Sequence, residues 1–268
     1  MHQLLDIWGF KLMSNFKNVF KKKAFIAFVT AGDPDLESTE VFIDKMIEAG
    51  TSLIEIGIPF SDPIAEGSVI TKADIRALAS YTTTDKIFDM ISNVRKKHPD
   101  FPLVFMTYVN PVFSYGYDRF FKKAQELNML GIIIPDLPFE EKEEAAKVAK
   151  KYNQEVISLI APTSDDRIKK IASDSNGFIY LVSSMGVTGM RSEFKIDLDK
   201  IVSEIRKYTD TPVAIGFGIS NPEQAKTMAA KSDGVIIGSA IVRIIEEYGK
   251  NAGNHIYDFC KSIVDSIK

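Results

Sequence analysis

The sequence predicts a single (β/α)8 barrel of the α/β class. Eight short apolar runs recur along the 268 residues, and amphipathic helical patterns separate them. The runs are almost continuously hydrophobic, which is typical of strands buried on both faces of a parallel sheet. A doubly wound open sheet is the alternative architecture. The number of runs and the absence of a glycine-rich dinucleotide turn after the first run favour the barrel.

Two periodicities define the predicted elements. The strands are short runs of apolar and β-branched residues. In the intervening segments apolar residues recur every three or four positions, as Phe42, Ile43 and Met46 do, which indicates helices that are buried along one face. The strands are predicted at Phe25–Thr30, Leu53–Ile58, Leu103–Tyr108, Gly131–Pro135, Val156–Ile160, Phe178–Val182, Val213–Gly216 and Gly234–Ile237.

Charge and residue usage exclude several classes of protein. The formal net charge is −3 and basic residues form no stripe, so nucleic-acid binding is not indicated. No segment has the apolar length that a membrane span requires. None of the three histidines, His2, His98 and His255, follows a predicted strand, which disfavours a histidine metal site or a Ser-His triad. Any chemistry must therefore rely on carboxylates.

The N-terminal segment and the single cysteine indicate the domain boundaries and the cellular compartment of the protein. Cys260 has no partner for an intrachain disulfide, which fits a reducing cytoplasm. Met1–Leu12 lacks the basic start and the small-residue cleavage site of a signal peptide. We expect residues 1–14 to form an extension outside the barrel core and residues 15–268 to form the barrel domain.

The most informative residue is a carboxylate in the middle of the second predicted strand. Glu55 interrupts an apolar run, and the turn-rich loop that follows carries Asp62 and Glu66. A buried charge is costly unless it is paired or used. Burial also raises the pKa of a carboxyl group, which makes Glu55 a candidate general acid or base. A structural glutamate held by hydrogen bonds would give the same pattern.

Small residues at the ends of the last two strands predict a phosphate site. Gly218 follows the seventh strand, and Gly238 and Ser239 follow the eighth. Bare backbone N–H groups and a helix N-terminus attract anions, and this end of a barrel commonly holds phosphate. The long loop after the sixth strand is expected to act as a lid. Its Gly189 is expected to join the phosphate site, and its Thr188 to hydrogen-bond a carboxylate.

Taken together, these segments resemble the tryptophan synthase alpha chain family. The resemblance covers about residues 15 to 268, and the segment around Glu55 is its most specific part. The matching segments, in family order, are Ala24–Pro34, Ile54–Ala65, Tyr108–Asn110, Pro135–Pro138, Gly186–Gly189, Gly216–Ser220 and Gly238–Ile241.

The resemblance implies an enzyme that splits indole-3-glycerol phosphate into indole and glyceraldehyde 3-phosphate. It implies an alpha2beta2 assembly with a beta chain, and the pyridoxal phosphate would belong to that partner, with no cofactor in this chain. Carried over by position, Glu55 is the catalytic acid and base. Glu66 stands at the position of a second catalytic residue, an aspartate in the family, that receives the indole N–H. Ser68, Thr71 and Met185 also depart from the usual family residues.

Other roles carry over by position as well. The resemblance implies an indole pocket of Phe28, Tyr108, Ile133 and Tyr180, although each would also suit ordinary barrel core. It implies contact with the beta chain through Asp62, Asn110 and Asp136. Two alternatives stay open at this stage. One is a partner-activating subunit with weak intrinsic activity because of Glu66, and the other is a different phosphate-binding barrel lyase or isomerase.

Overall fold

The barrel is confirmed by a computed structural model, which describes residues 16–162, 165–183, 197–216 and 218–268. Within this part of the chain, nine parallel strands form one sheet in the order β5-β4-β3-β2-β1-β9-β8-β7-β6. The strands are β1 (Ala24–Thr30), β2 (Leu53–Gly57), β3 (Leu103–Met106), β4 (Gly131–Ile133), β5 (Glu155–Val156), β6 (Ser158–Ile160), β7 (Ile179–Val182), β8 (Val213–Gly216) and β9 (Gly234–Ile237).

The barrel closes through a segment that the sequence predicted as one continuous strand. Residues 156–160 were expected to form a single strand, but the structure divides the segment into β5 and β6 on either side of Ile157. β5 pairs with β4, whereas β6 pairs with β7. The segment changes partners at Ile157 because one short stretch must join both neighbours at the staggered seam of a closed barrel.

Helices surround the strands, and side chains cap some of their N-termini. Asp35 accepts the Ser38 N–H at the start of the first helix, and Asn221 accepts the Gln224 N–H at the start of the ninth. In order they are α1 (Leu36–Glu48), α2 (Ser68–Ala79), α3 (Thr84–Lys97), α4 (Val109–Tyr115), α5 (Tyr117–Glu126), α6 (Glu143–Lys151), α7 (Asp165–Ser173), α8 (Leu198–Arg206), α9 (Pro222–Ala229), α10 (Ser239–Tyr248) and α11 (Gly253–Ser266).

Apolar side chains fill the barrel below the mouth, so the interior is a packed core. Ile26 of β1, Leu53 of β2 and Val104 of β3 belong to one interior cluster. Phe16 and Phe20, which precede β1, pack against Phe178, with ring centroids 6.1 and 5.7 Å away. These aromatic rings close the N-terminal end of the barrel. Ligand access to the barrel interior is therefore expected at the C-terminal ends of the strands.

The predicted N-terminal extension, residues 1–14, lies outside the described residues, so the division at residue 15 stays a prediction. From Phe16 onward the chain already contributes to the barrel interior. Among the described helices, none combines the length and the apolar character that crossing a bilayer would need.

Candidate active site

Glu55 lies inside the barrel at the layer where the packed core gives way to an open mouth. It pairs in register with Phe28 on β1 and with Val104 on β3. Its side chain is 1% exposed, and neither carboxylate oxygen has a hydrogen-bond partner among the described residues. Burial raises the pKa of Glu55 to about 8. At neutral pH this carboxyl group therefore carries a proton that it can donate.

A cavity of about 340 Å³ opens above Glu55. The two glutamates predicted as catalytic both line it, together with the three small residues predicted to bind phosphate. The structure thus brings together residues from β2, its following loop, and the ends of β8 and β9. The full lining is Phe28, Glu55, Ala65, Glu66, Gly67, Ile70, Met106, Tyr180, Gly218, Ile219, Ser220, Ile236, Gly238, Ser239, Ala240 and Arg243.

Glu66 supplies a second carboxyl group at the cavity wall, and its side chain is partly buried. Its Oε2 is buried and has no hydrogen-bond partner within the described residues. Burial raises the pKa of Glu66, while hydrogen bonds from Asp74 and Tyr108 oppose that rise. The Tyr108 hydroxyl also accepts the Ala65 N–H at 3.0 Å. These contacts hold the end of the β2 loop, and they leave one carboxylate oxygen of Glu66 without a hydrogen-bond partner among the described residues.

Glycine makes room for the aromatic walls of the mouth. A Cβ at Gly57 would lie 2.6 Å from the Phe28 ring, and a Cβ at Gly216 would lie 2.5 Å from the Tyr180 ring. Both distances are too short for real contacts, so any larger residue would displace a ring. Burial raises the pKa of Tyr180 well above its ordinary value, and the nearby Glu55 carboxyl adds to this effect. Tyr180 therefore stays neutral.

The opposite end of the cavity is suited to an anion. Gly218 has a φ of +77°, which glycine adopts without strain. Gly238 precedes the first turn of α10, and Ser239 begins that helix. The helix N-terminus supplies unpaired N–H groups and a positive dipole end. Arg243, one turn along α10, also lines the cavity and is exposed. Arg243 had no role predicted from the sequence, although it lies one helical turn after Ser239.

Comparisons with known proteins agree with this geometry. The family model described as tryptophan synthase alpha chain matches residues 14–266. The chain belongs to the tryptophan synthase alpha chain family. It is 50% identical to the tryptophan synthase alpha chain of Lacticaseibacillus casei, with 94% of this chain and 95% of the relative covered.

Solved structures show the same likeness in three dimensions. The tryptophan synthase alpha subunit of Campylobacter jejuni superposes with a TM-score of 0.82 at 34% identity, over 92% of this chain and 98% of that one. A chain of the tryptophan synthase complex from Pyrococcus furiosus gives a TM-score of 0.82 at 32% identity, over 92% of this chain and 99% of that one. The likeness therefore covers the whole barrel rather than one motif.

Two residues of the expected indole pocket do not line the 340 Å³ cavity. Ile133 is fully buried in the interior cluster, and Tyr108 is buried beneath the β2 loop. Met106 takes a cavity-lining place that the sequence analysis did not assign. A second cavity of about 510 Å³ adjoins the first and shares Ala65, Met106 and Tyr180 with it.

The three residues expected at the beta-chain interface follow consecutive strands. Asp62 is exposed in the loop after β2, and Asn110 is exposed at the start of α4, after β3. Asp136, after β4, accepts the Val109 N–H at 2.9 Å and so links two of these loops. This rim also carries two large exposed apolar side chains, Ile64 and Phe113, which are 74% and 64% exposed.

Thr188 and Gly189, the predicted lid residues, lie outside the described residues, and so does Met185. Within the described ranges, no group of histidine, cysteine, aspartate and glutamate residues is arranged to hold a metal ion. Cys260 is a buried free cysteine in α11.

Proposed function

We propose that this chain cleaves indole-3-glycerol phosphate with Glu55 as acid and base, Glu66 as the partner of the indole N–H, and the ends of β8 and β9 as the phosphate seat. The family's activity, carbon–carbon lyase chemistry in tryptophan biosynthesis, is the activity of this chain. The observation that carries the residue roles is the buried, unpartnered Glu55 at the floor of a cavity that Gly218, Gly238, Ser239 and Arg243 also line.

The first step needs an acid. Because burial raises the pKa of Glu55 to about 8, its carboxyl group is protonated at neutral pH. It donates that proton to C3 of the indole ring, which breaks the aromaticity of the five-membered ring and leaves positive charge on the ring nitrogen. Proton transfer of this kind from a positioned carboxyl group is general acid catalysis.

The second step needs a base, and the same group supplies it. The Glu55 carboxylate takes the proton of the hydroxyl on the side-chain carbon next to the ring. The electron pair of the carbon–carbon bond returns to the ring, so indole and an aldehyde, glyceraldehyde 3-phosphate, are formed. Glu55 ends the cycle protonated, as it began. The absence of a counter-ion within the described site suits a group that must hold both states.

Glu66 stabilises the intermediate charge. Glu66 lines the cavity, and its Oε2, which has no partner among the described residues, accepts the N–H of the protonated ring. A fixed carboxylate next to developing positive charge lowers the barrier most where water is excluded. The aromatic walls, Phe28 and Tyr180, support the same ring. Gly218, Gly238 and Ser239 bind the phosphate through backbone N–H groups and the start of α10, and Arg243 adds positive charge.

The partner and the location complete the proposal. Pyrococcus furiosus tryptophan synthase forms an a2b2 complex with mutual activation of its subunits. We assign the same alpha2beta2 arrangement to this chain, with the beta chain holding pyridoxal phosphate and receiving indole. The rim of Asp62, Asn110 and Asp136 is the proposed contact. A cytoplasmic location is supported by the single, buried and unpaired Cys260.

The decisive experiment measures indole release from indole-3-glycerol phosphate by the chain alone and with a tryptophan synthase beta chain. We expect release that the beta chain stimulates and that Glu55→Gln lowers at least about 100-fold in both conditions, because glutamine neither donates nor accepts the proton. Asp89→Asn, a matched change at an exposed position of α3, should leave the rate unchanged. Release that survives Glu55→Gln would contradict the assigned role.

A further inference from the structure

The described site contains a third acid that the proposed mechanism does not use. Asp74 lies on α2 and is 5% exposed. Its carboxyl group accepts the Phe60 N–H at the start of the β2 loop and is hydrogen-bonded to the Glu66 side chain near the end of that loop. Asp74 therefore ties both ends of the loop to one helix. Nothing in the sequence marks it, because aspartate at a helical position is ordinarily solvated.

Two carboxyl groups in direct contact and away from water share a proton. The charge of one opposes ionisation of the other, and burial opposes ionisation of both. The two cations of α2 do not relieve this, because Arg76 binds both carboxylate oxygens of Asp33 at 2.8 Å and Lys72 pairs with Glu246. Tyr108 on the far side is neutral, since burial raises the pKa of its hydroxyl.

The remaining charged groups around the pair indicate which acid holds the proton. Asp33 adds negative charge beside Asp74, and burial and the Glu66 carboxylate raise the pKa of Asp74 further. Glu66 instead receives hydrogen bonds from Asp74 and Tyr108, which favour its ionised form. Arg243 and Glu66 line the same cavity. Glu55 lines it as well and is protonated at neutral pH.

We propose that Asp74 is a positioning residue, whose protonated carboxyl group donates a hydrogen bond to Glu66 and holds the free Oε2 of Glu66 toward the indole N–H. The inference deepens the proposed function and rests on its assignment of Glu66. It also gives a reason for glutamate at this position. Glutamate has one more rotatable bond than aspartate, and a neutral donor on α2 restricts that extra freedom.

Steady-state kinetics test the positioning role. Asp74→Ala should lower kcat about 10- to 100-fold and change KM by less than about threefold, because a misdirected carboxylate affects the transition state more than substrate binding. Asp74→Asn should restore kcat to within about threefold of the unsubstituted chain, since its amide can donate to Glu66 while its carbonyl accepts from Phe60. An unchanged kcat in Asp74→Ala, or equal losses in both variants, would overturn the proposal.

A spectroscopic measurement tests the proton directly and does not depend on activity. Glu55→Gln removes the protonated carboxyl group of Glu55, so the infrared spectrum of this variant at pH 7 should retain a protonated-carboxyl band to which Asp74 contributes. The Asp74 contribution should vanish in Glu55→Gln/Asp74→Asn and persist in Glu55→Gln/Asp89→Asn. A spectrum without the band in Glu55→Gln would refute the protonated state of Asp74.

The two measurements separate failure of this inference from failure of the proposed function. If the unsubstituted chain releases no indole, the lyase assignment fails whatever the infrared result. If it releases indole and Asp74→Ala matches it, only the role of Asp74 fails. Thermal unfolding of each variant identifies loss of fold, and the isosteric Asp74→Asn keeps the spectroscopic test decisive should Asp74→Ala unfold.

Discussion

Both carboxylate oxygens of Glu55 are buried without a partner, and this arrangement costs the folded protein stability. The folded-state pKa is about 8, against an ordinary value of 4.5. The folded chain therefore binds a proton more tightly than the unfolded chain does. The stability contributed by that proton is fully present below pH 4.5 and is lost as pH rises toward 8.

Glu55→Gln should therefore stabilise the protein where the natural residue is ionised. Glutamine carries no charge, so the variant should unfold at a higher temperature at pH 8.5. The gain should be on the order of a few kcal/mol and should shrink toward pH 5. Thermal unfolding across this pH range checks the prediction. An equal difference between variant and parent at every pH would show that Glu55 does not titrate as its burial implies.

At the scale of single elements, α10 combines several anion-binding features. Its first residue, Ser239, lines the cavity, and its N-terminus directs N–H groups toward the proposed phosphate seat. Arg243 lies one turn further on and lines the same cavity. A helix dipole and a guanidinium on one element act on the same ligand charge without further loop contacts.

Arg243→Gln should raise KM for indole-3-glycerol phosphate about tenfold while kcat changes by less than about threefold, because the phosphate lies away from the bond that breaks. Inhibition by inorganic phosphate should weaken in the same proportion. Lys226→Gln on α9 is the matched control, since it removes one positive charge from an exposed position outside the cavity lining. An unchanged KM in Arg243→Gln would exclude a phosphate role for this residue.

At the scale of the whole molecule, the two ends of the barrel have different tasks. The N-terminal end is closed by Phe16, Phe20 and Phe178, whereas the C-terminal end carries the cavity. The exposed Ile64 and Phe113 lie on the cavity side, beside the acids proposed to meet the beta chain. An apolar rim next to an active site is suited to a partner that receives the product.

Phe113→Asp should weaken beta-chain binding at least about tenfold and reduce stimulation of indole release, while the rate of the isolated chain stays unchanged. Val41→Asp is the control, because Val41 is a 48% exposed apolar residue in the middle of α1, outside the loops that follow β2, β3 and β4. Titration of the beta chain against each variant measures both effects. Equal stimulation of Phe113→Asp and the parent would place the interface elsewhere.

Local features of the sequence determined where the strands lie and which residues of the candidate site stand out. Continuous apolar runs predicted the strands, because a strand buried on both faces tolerates few polar residues. That same rule made Glu55 conspicuous, and glycines at the ends of β8 and β9 predicted the proposed phosphate seat. The resemblance around Ile54–Ala65 supplied the roles of Glu55 and Glu66, which chemistry alone left open.

Only the tertiary structure decided which distant residues meet. The division of residues 156–160 into β5 and β6 depends on barrel closure, which no local pattern encodes. Asp74 and Arg243 are ordinary polar residues of surface-like helices in the sequence, yet folding places one against Glu66 and the other at the cavity wall. Periodicity shows how a segment is buried, but the neighbours of a side chain depend on the packing of the whole barrel.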